Sequence, residues 1–366
     1  MRINTSPKWQ QVLKAGGCNM LAAFLYGPND LRLQEVKTPE INDNEILLKV
    51  ISSAICGSDI RMINNGYNGV TEQTPRILGH ELSGIIIKVG KNLQKYKEGM
   101  RAAVAPNLGC GVCDYCVSGN THFCIDYRAL GIHLDGGFAE YVKIPEEACR
   151  QGNIIELAEN VSFDEAALNE PLSCVYNGFL RCGIKPGEAV LIIGAGPIGI
   201  MHAKLAKMAG AAKIIINDIS KLRLEVSKKI DGSFITVESD NLKEQILDLT
   251  KGKGLDVCIT ACPSPQAQAD SLDLMAINGR INFFGGLPAA KAIVGINTNL
   301  VHYRQLTLTG SARASLIQYR KTLEFITGGM LDVKDLISGR FELKMIMEGV
   351  NRASIVEGLK NIVHFD

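Results

Sequence analysis

Residues 189–218 read AVLIIGAGPIGIMHAKLAKMAGAAKIIIND, and this stretch decides the fold. Five apolar residues run into a glycine-rich turn. Pro197 then opens a helically spaced segment, and a second apolar run ends at Asp218. That is strand, turn, helix, strand, with GAGPIG at 194–199 matching G-x-G-x-x-G. The hexapeptide alone is a weak signal. Closing an apolar strand, opening a helix and followed 19 residues after Gly199 by an aspartate, it becomes a strong one for a dinucleotide. Gly194 permits the tight turn, Gly196 lets a pyrophosphate approach the backbone at the positive end of the helix, and Gly199 lets helix and strand pack closely. Asp218 can accept from ribose hydroxyls and would repel a 2′-phosphate, which favours NAD over NADP. Arg223 would blunt that repulsion.

Outward from this unit, LDVCITAC (255–262), GRINFFGGL (279–287) and LTLTGS (306–311) continue the alternation of apolar strands with helical segments. A parallel, doubly wound α/β sheet is expected. Upstream the texture is different. LRLQEV, EILLKVISSAI, ELSGIIIKVG, MRAAVAP and FAEYVKIP are short, rich in β-branched residues and separated by turn formers, which suggests a barrel or sandwich. SFDEAALNEPLSCVYNGFLRC (162–182) predicts a helix opened by a Ser162–Glu165 capping box. The C-terminal stretch predicts helices with a strand pair at RFEL and KNIV.

The 366 residues suit two domains, and 39 Lys plus Arg nearly balance 38 Asp plus Glu. That balance gives no electrostatic reason for a nucleic-acid or anionic-membrane partner. No run is long and unbroken enough to span a membrane, and residues 1–19 lack the apolar core of a secretory signal. Those residues are expected to be a frayed extension. An odd count of eleven cysteines with no signal points to a reducing, cytoplasmic setting.

Four of those cysteines lie within fifteen residues, CGVCDYCVSGNTHFC, at 110, 113, 116 and 124. Two-residue spacers let Cys110, Cys113, Cys116 and Cys124 converge on one ion, and a four-thiolate site suits zinc. An iron–sulfur cluster is the rival, although the bacterial run continues x3-C-P and this one does not. A closed four-cysteine site would hold a loop together without doing chemistry. Further upstream, SSAICGSD and ILGHELSG offer Cys56, His80 and Glu81. Adjacent His and Glu on an extended segment point to opposite faces, so both can ligate only if the backbone turns at Gly79. From the residues alone, core roles for Cys56 and His80 stay open.

GHELSGIIIKVG resembles the zinc signature G-H-E-x2-G-x5-G of the medium-chain dehydrogenase/reductase family. Its first ligand precedes Gly-Ser-Asp or Gly-Thr-Asp, as Cys56 does here. The cysteine lobe, EGMRAAV and GAGPIG follow in family order, and NEPLSC (169–174) resembles the E-P-L-S element of the sorbitol (polyol) dehydrogenase branch. The likeness runs from about Met20 to the end.

The resemblance implies a GroES-like catalytic domain from residues 20–172 and 310–366, with a structural zinc lobe at about 106–127, and a Rossmann NAD-binding domain at 173–309. It implies two zinc ions per subunit. Cys110, Cys113, Cys116 and Cys124 would hold the structural one, and Cys56, His80 and Glu81 the catalytic one. Glu170 would be a further ligand or would hold a water on the zinc. Asp59 would orient His80, and Ser58 would take the substrate proton. Ile198, Pro197, Phe284, Gly285, Gly286 and Arg313 would line the cofactor groove beside the glycines, Asp218 and Arg223. NAD-dependent, reversible oxidation of a secondary alcohol of a polyol or sugar derivative is implied, by a homotetramer or homodimer. L-threonine 3-dehydrogenase, a sugar-alcohol-phosphate dehydrogenase and a catalytically silent NAD-binding protein are the alternatives. The match breaks at Ile60-Arg61-Met62-Ile63, where the branch has a hydrophobic residue and His-Tyr-Trp. It breaks again at Ala314, and around Arg128 and His133. Arg61, Arg128 and Arg313 would bias the pocket toward an anionic substrate, unless Arg61 and Arg128 are simply solvated.

Overall fold

The computed structural model describes residues 19–355 and 358–366, so the expected extension lies outside the described residues up to Cys18. The N-terminal part is built of short strands: β1 (Asn19–Gly27), β2 (Asp30–Lys37), β3 (Ile46–Ala54), β4 (Arg76–Ile77), β5 (Glu81–Val89), β6 (Arg101–Val104), β7 (Asn107–Leu108), β8 (Arg128–Ala129), β9 (Tyr141–Ile144) and β10 (Ile154–Glu156). β2, β1 and β4 form one antiparallel sheet. A larger sheet runs β10-β6-β5-β3 and continues into two strands from the far end of the chain, β17 (Ile337–Glu342) and β18 (Lys360–His364). β18 pairs antiparallel with β3, Ile362 opposite Ala54, so the C-terminus closes the first unit.

Between these lie β11 (Ala189–Ile193), β12 (Lys213–Asn217), β13 (Ile235–Val237), β14 (Leu255–Thr260), β15 (Met275–Phe283) and β16 (Thr307–Gly310). They pair in parallel in the order β13-β12-β11-β14-β15-β16. The strand order reverses beside β11, which puts the crevice for a ligand at the carboxyl ends of β11 and β14. After β11 comes the helix Pro197–Met208, capped at Gly196 with proline in its first turn, where a missing N–H costs nothing. A Cβ on Gly199 would lie 1.8 Å from the Gly194 carbonyl oxygen, so only glycine fits this crossing.

The helix predicted at 162–182 is two helices. Ser162 caps Phe163–Ala167 through its capping box with Glu165, and a second helix, Asn169–Cys182, starts after Leu168. Pro171 explains the break. Its ring would clash with the carbonyl four residues back in a continuous helix, but it fits a first turn. The break therefore places Glu170 at the start of a new helix. One continuous core joins Phe163, Leu168 and Val175 of these helices to Ile192 and Ile216 of the parallel sheet and to Tyr319 and Leu323 of the helix Leu316–Thr327. No helix among the described residues is long and apolar enough to cross a membrane.

One buried group in this core gives a pH dependence. His202, 1% exposed, has no hydrogen-bond partner for either ring nitrogen among the described residues, and it meets Phe284 edge-on at 4.8 Å. Burial pushes its pKa down to about 3. The unfolded chain takes a proton on this ring near pH 6.5, whereas the folded chain resists until about pH 3. Stability is then lost as pH falls through that window and is untouched above it. His202→Met is expected to raise stability by about 2 kcal/mol more at pH 5 than at pH 8, read from urea midpoints at the two pH values.

Candidate active site

The first ligand candidates come together at the junction of β3, β5 and the helix Gly57–Asn65. Cys56 precedes that helix, and its backbone N–H donates to Asp59 Oδ2 at 2.9 Å. Gly79 has φ +89°, so the backbone turns immediately before His80 and Glu81. One ligand atom each from Cys56, His80 and Glu81 lies within 4.8 Å of the others. Asp59, fully buried, faces His80 Nδ1 at 3.3 Å, while Ser58 Oγ lies 3.3 Å from Nε2. Burial opposes a charge on this imidazole, but Asp59 and Cys56 outweigh it and hold its pKa well above the ordinary range. A half-buried thiol gathered this tightly with a buried imidazole and a buried carboxylate is a fitting cradle for a divalent zinc ion.

Glu170 is 7% exposed and stands outside that three-residue group. Burial pushes its pKa up to about 7, against the lowering effect of His80. Cys174, one turn further along the helix, donates to Glu170 Oε1 at 3.5 Å. Two residues here gave no signal in the sequence. One is Cys174. The other is Lys360, which opens β18 and is 4% exposed. It donates to both Glu81 oxygens (2.6 and 2.5 Å) and to the Ile55 carbonyl (3.1 Å). A lysine heading an apolar strand does not announce that it is buried.

In the cysteine lobe all four sulfurs lie within 4.8 Å of one another, and all are free thiols. Cys113 and Cys124 Sγ are 3.8 Å apart, the edge of a tetrahedron with zinc–sulfur bonds of about 2.3 Å. Four sulfurs this close leave no room for a multi-iron cube between them. Backbone N–H groups point at the sulfurs, from Cys110 and Asp126 to Cys124 and from Cys113 to Cys110. The Cys116 amide, with others, draws the Cys113 pKa down to about 6, while burial pushes Cys116 up to about 12. A cation is what would let all four ionise together.

At the nucleotide end, Ile193, Gly194, Asp218, Ile219, Arg223 and Cys262 help line a cleft of about 760 Å³. Asp218 Oδ2 accepts from the Ala195 amide of the glycine-rich turn at 2.7 Å, and Arg223 stands 4.0 Å away. Pro197 and Ile198 open the following helix, and Phe284, Gly285 and Gly286 follow the end of β15. Arg313 has φ +57°; its guanidinium donates to the His122 carbonyl at 3.1 Å and lies 4.0 Å over the Tyr127 ring. Arg61 is exposed, and Arg128 is paired with Glu147 at 2.5 Å on the surface. His133 packs against Tyr67 and Tyr127. Of the three arginines expected to draw an anionic substrate, Arg61 and Arg128 thus sit at the surface.

Residues 42–153 match the alcohol dehydrogenase GroES-like domain, and residues 197–328 match the zinc-binding dehydrogenase domain. The chain is 32% identical to sorbitol dehydrogenase of Bacillus subtilis over 92% of its own length and 94% of that protein. It is also 32% identical to L-threonine 3-dehydrogenase of Bacillus velezensis, over 87% and 90% of the two chains. Among solved structures, a Sinorhizobium meliloti protein bound to NADP superposes with a TM-score of 0.85 at 26% identity, covering 95% of this chain and all of the other.

Proposed function

Because the chain belongs to the zinc-binding, GroES-like alcohol dehydrogenase family, we propose that it oxidises a secondary alcohol of a neutral polyol to the ketone, reversibly and with NAD. The observation that carries this reading is the close Cys56–His80–Glu81 group, backed by Asp59 and bordered by Ser58. When bound there, zinc supplies Lewis-acid activation of an alcohol oxygen, and the nicotinamide accepts the hydride. Cys56, His80 and Glu81 would hold the metal, and Asp59, facing Nδ1, would fix the orientation of the His80 ring. Ser58 Oγ takes the alcohol proton and passes it outward. Glu170, outside the ligand group, orients a water or hydroxyl at its edge. The four lobe cysteines hold a second, structural zinc.

The sorbitol and threonine relatives are both 32% identical to this chain, so the choice between them rests on its own residues. NEPLSC favours a polyol. The pairing of Arg128 with Glu147 removes one cation from any anion site, which favours a neutral substrate over a phosphate. The edge of β16 opposite β15 suits pairing with a second copy, as a homodimer or homotetramer.

The test is NADH formation from NAD with neutral polyols, their phosphates, sugar acids and L-threonine, with and without a chelator. Chelator-sensitive turnover of the neutral polyols is expected. Turnover of L-threonine alone would replace the polyol reading, and no turnover with NAD still bound would favour a silent protein. The cofactor preference rests on Asp218. Asp218→Ser is expected to narrow the NAD-over-NADP preference by about tenfold, since one charge-assisted contact is lost and a phosphate is no longer repelled.

A further inference from the structure

Beside the metal group stands a cluster that the reaction as described leaves unused. Tyr67 follows the helix that carries Ser58, Tyr127 ends the cysteine lobe, and His133 lies in the loop after β8. The His133 ring meets both tyrosines edge-on, with centroids 6.0 Å from Tyr67 and 5.6 Å from Tyr127. This loop is seated on the site. A Cβ on Gly131 would come within 2.8 Å of the His80 amide nitrogen.

The hydrogen bonds assign a direction to the pair. The Ala129 N–H donates to His133 Nδ1 at 3.2 Å, so the proton of the neutral ring sits on Nε2. Burial, with Arg313, Arg76 and Arg128 nearby, lowers the His133 pKa and keeps the ring neutral. Nε2–H therefore donates to the Tyr67 oxygen, 3.3 Å away. The Tyr67 O–H proton is left with no acceptor among the described residues. Accepting one hydrogen bond makes that hydroxyl a better donor. Tyr127 is already committed, since its O–H donates to Asn107 Oδ1 at 2.5 Å and its ring face lies under Arg313. Two aromatic walls and one polarised, unspent O–H suit a neutral hydroxylated chain.

We propose that Tyr67, held and polarised by His133, donates a hydrogen bond to a substrate hydroxyl beyond the reacting carbon, and so sets a preference for polyols over simple secondary alcohols. This inference rests on the polyol dehydrogenase reading. A site whose polar group is left unpaired by an analogue lacking the hydroxyl discriminates against that analogue more strongly than an apolar wall can.

The probes are D-sorbitol and butan-2-ol with the zinc-loaded, full-length enzyme. In Tyr67→Phe the sorbitol-to-butan-2-ol ratio of kcat/KM is expected to fall about tenfold, mainly through KM for sorbitol. His133→Phe is expected to lower the ratio likewise, and His133→Gln, which keeps an N–H donor, to recover part of it. NADH binding and thermal melts of each variant show whether the fold is kept. A ratio unchanged in Tyr67→Phe overturns the inference while leaving the polyol reading intact. A wild-type enzyme that oxidises butan-2-ol but not sorbitol, or neither, overturns the polyol reading and this inference with it.

Discussion

Lys360→Met is expected to cost the metal-free protein about 3–5 kcal/mol and the zinc-loaded protein distinctly less. The three N–H groups of Lys360 go to the two Glu81 oxygens and the Ile55 carbonyl, and both partners of the ion pair are buried. Burial alone would strip the ammonium of its proton, yet Glu81 more than offsets it and holds the pKa above the ordinary lysine value. Removing the lysine leaves a buried carboxylate with no cation, which is how breaking a buried pair becomes expensive. A divalent ion at Cys56, His80 and Glu81 supplies a positive charge to that same carboxylate. The gap between thermal melts with and without a chelator should therefore widen in Lys360→Met relative to wild type. An equal loss in both forms would mean that Lys360 acts on packing alone and not on the metal group.

Lys360 also shows where sequence reading stops. It reaches Glu81 across 279 residues, and nothing local marks either residue as half of a pair. The Tyr67–His133 contact, 66 residues apart, is equally silent. What was legible is what is local in the chain. The glycine-rich turn, Pro197 and Asp218 lie within one strand–helix–strand unit, so spacing and apolar periodicity suffice to place them. The four lobe cysteines span fifteen residues and their spacing implies convergence. Cys56 and His80 are intermediate, 24 residues apart and on different elements, and only the resemblance to a known signature joined them before the structure did. The break at Leu168 is a different kind of miss. Pro171 was visible in the sequence, but helical spacing on both sides of it favoured one helix. The backbone clash that divides the helix is also what sets Glu170 at the edge of the site.

Cys116→Ser is expected to remove one metal ion per chain, lower the melting temperature and raise KM for the alcohol by a larger factor than the Kd for NADH. The lobe has little apolar core of its own. Val112, Val117 and Ile125 are each at least 70% exposed, so its fold depends on the four sulfurs. A structural zinc in a small lobe can be worth ~10 kcal/mol or more in zinc-finger peptides. Here the lobe can open locally, so only part of that would be felt by the whole chain. The effect on the alcohol follows from what the lobe touches. Arg313 donates to the His122 carbonyl, and Asn107 ties the Tyr127 hydroxyl to the backbone carbonyl of Ala314. Releasing the lobe frees Tyr127 and Arg313 together, whereas Asp218 is tied to the Ala195 amide of the glycine-rich turn. Metal analysis, a thermal melt, NADH fluorescence titration and polyol kinetics on one preparation separate these effects. If the Kd for NADH rose in step with KM, the lobe would be supporting the whole enzyme and not this wall of the pocket.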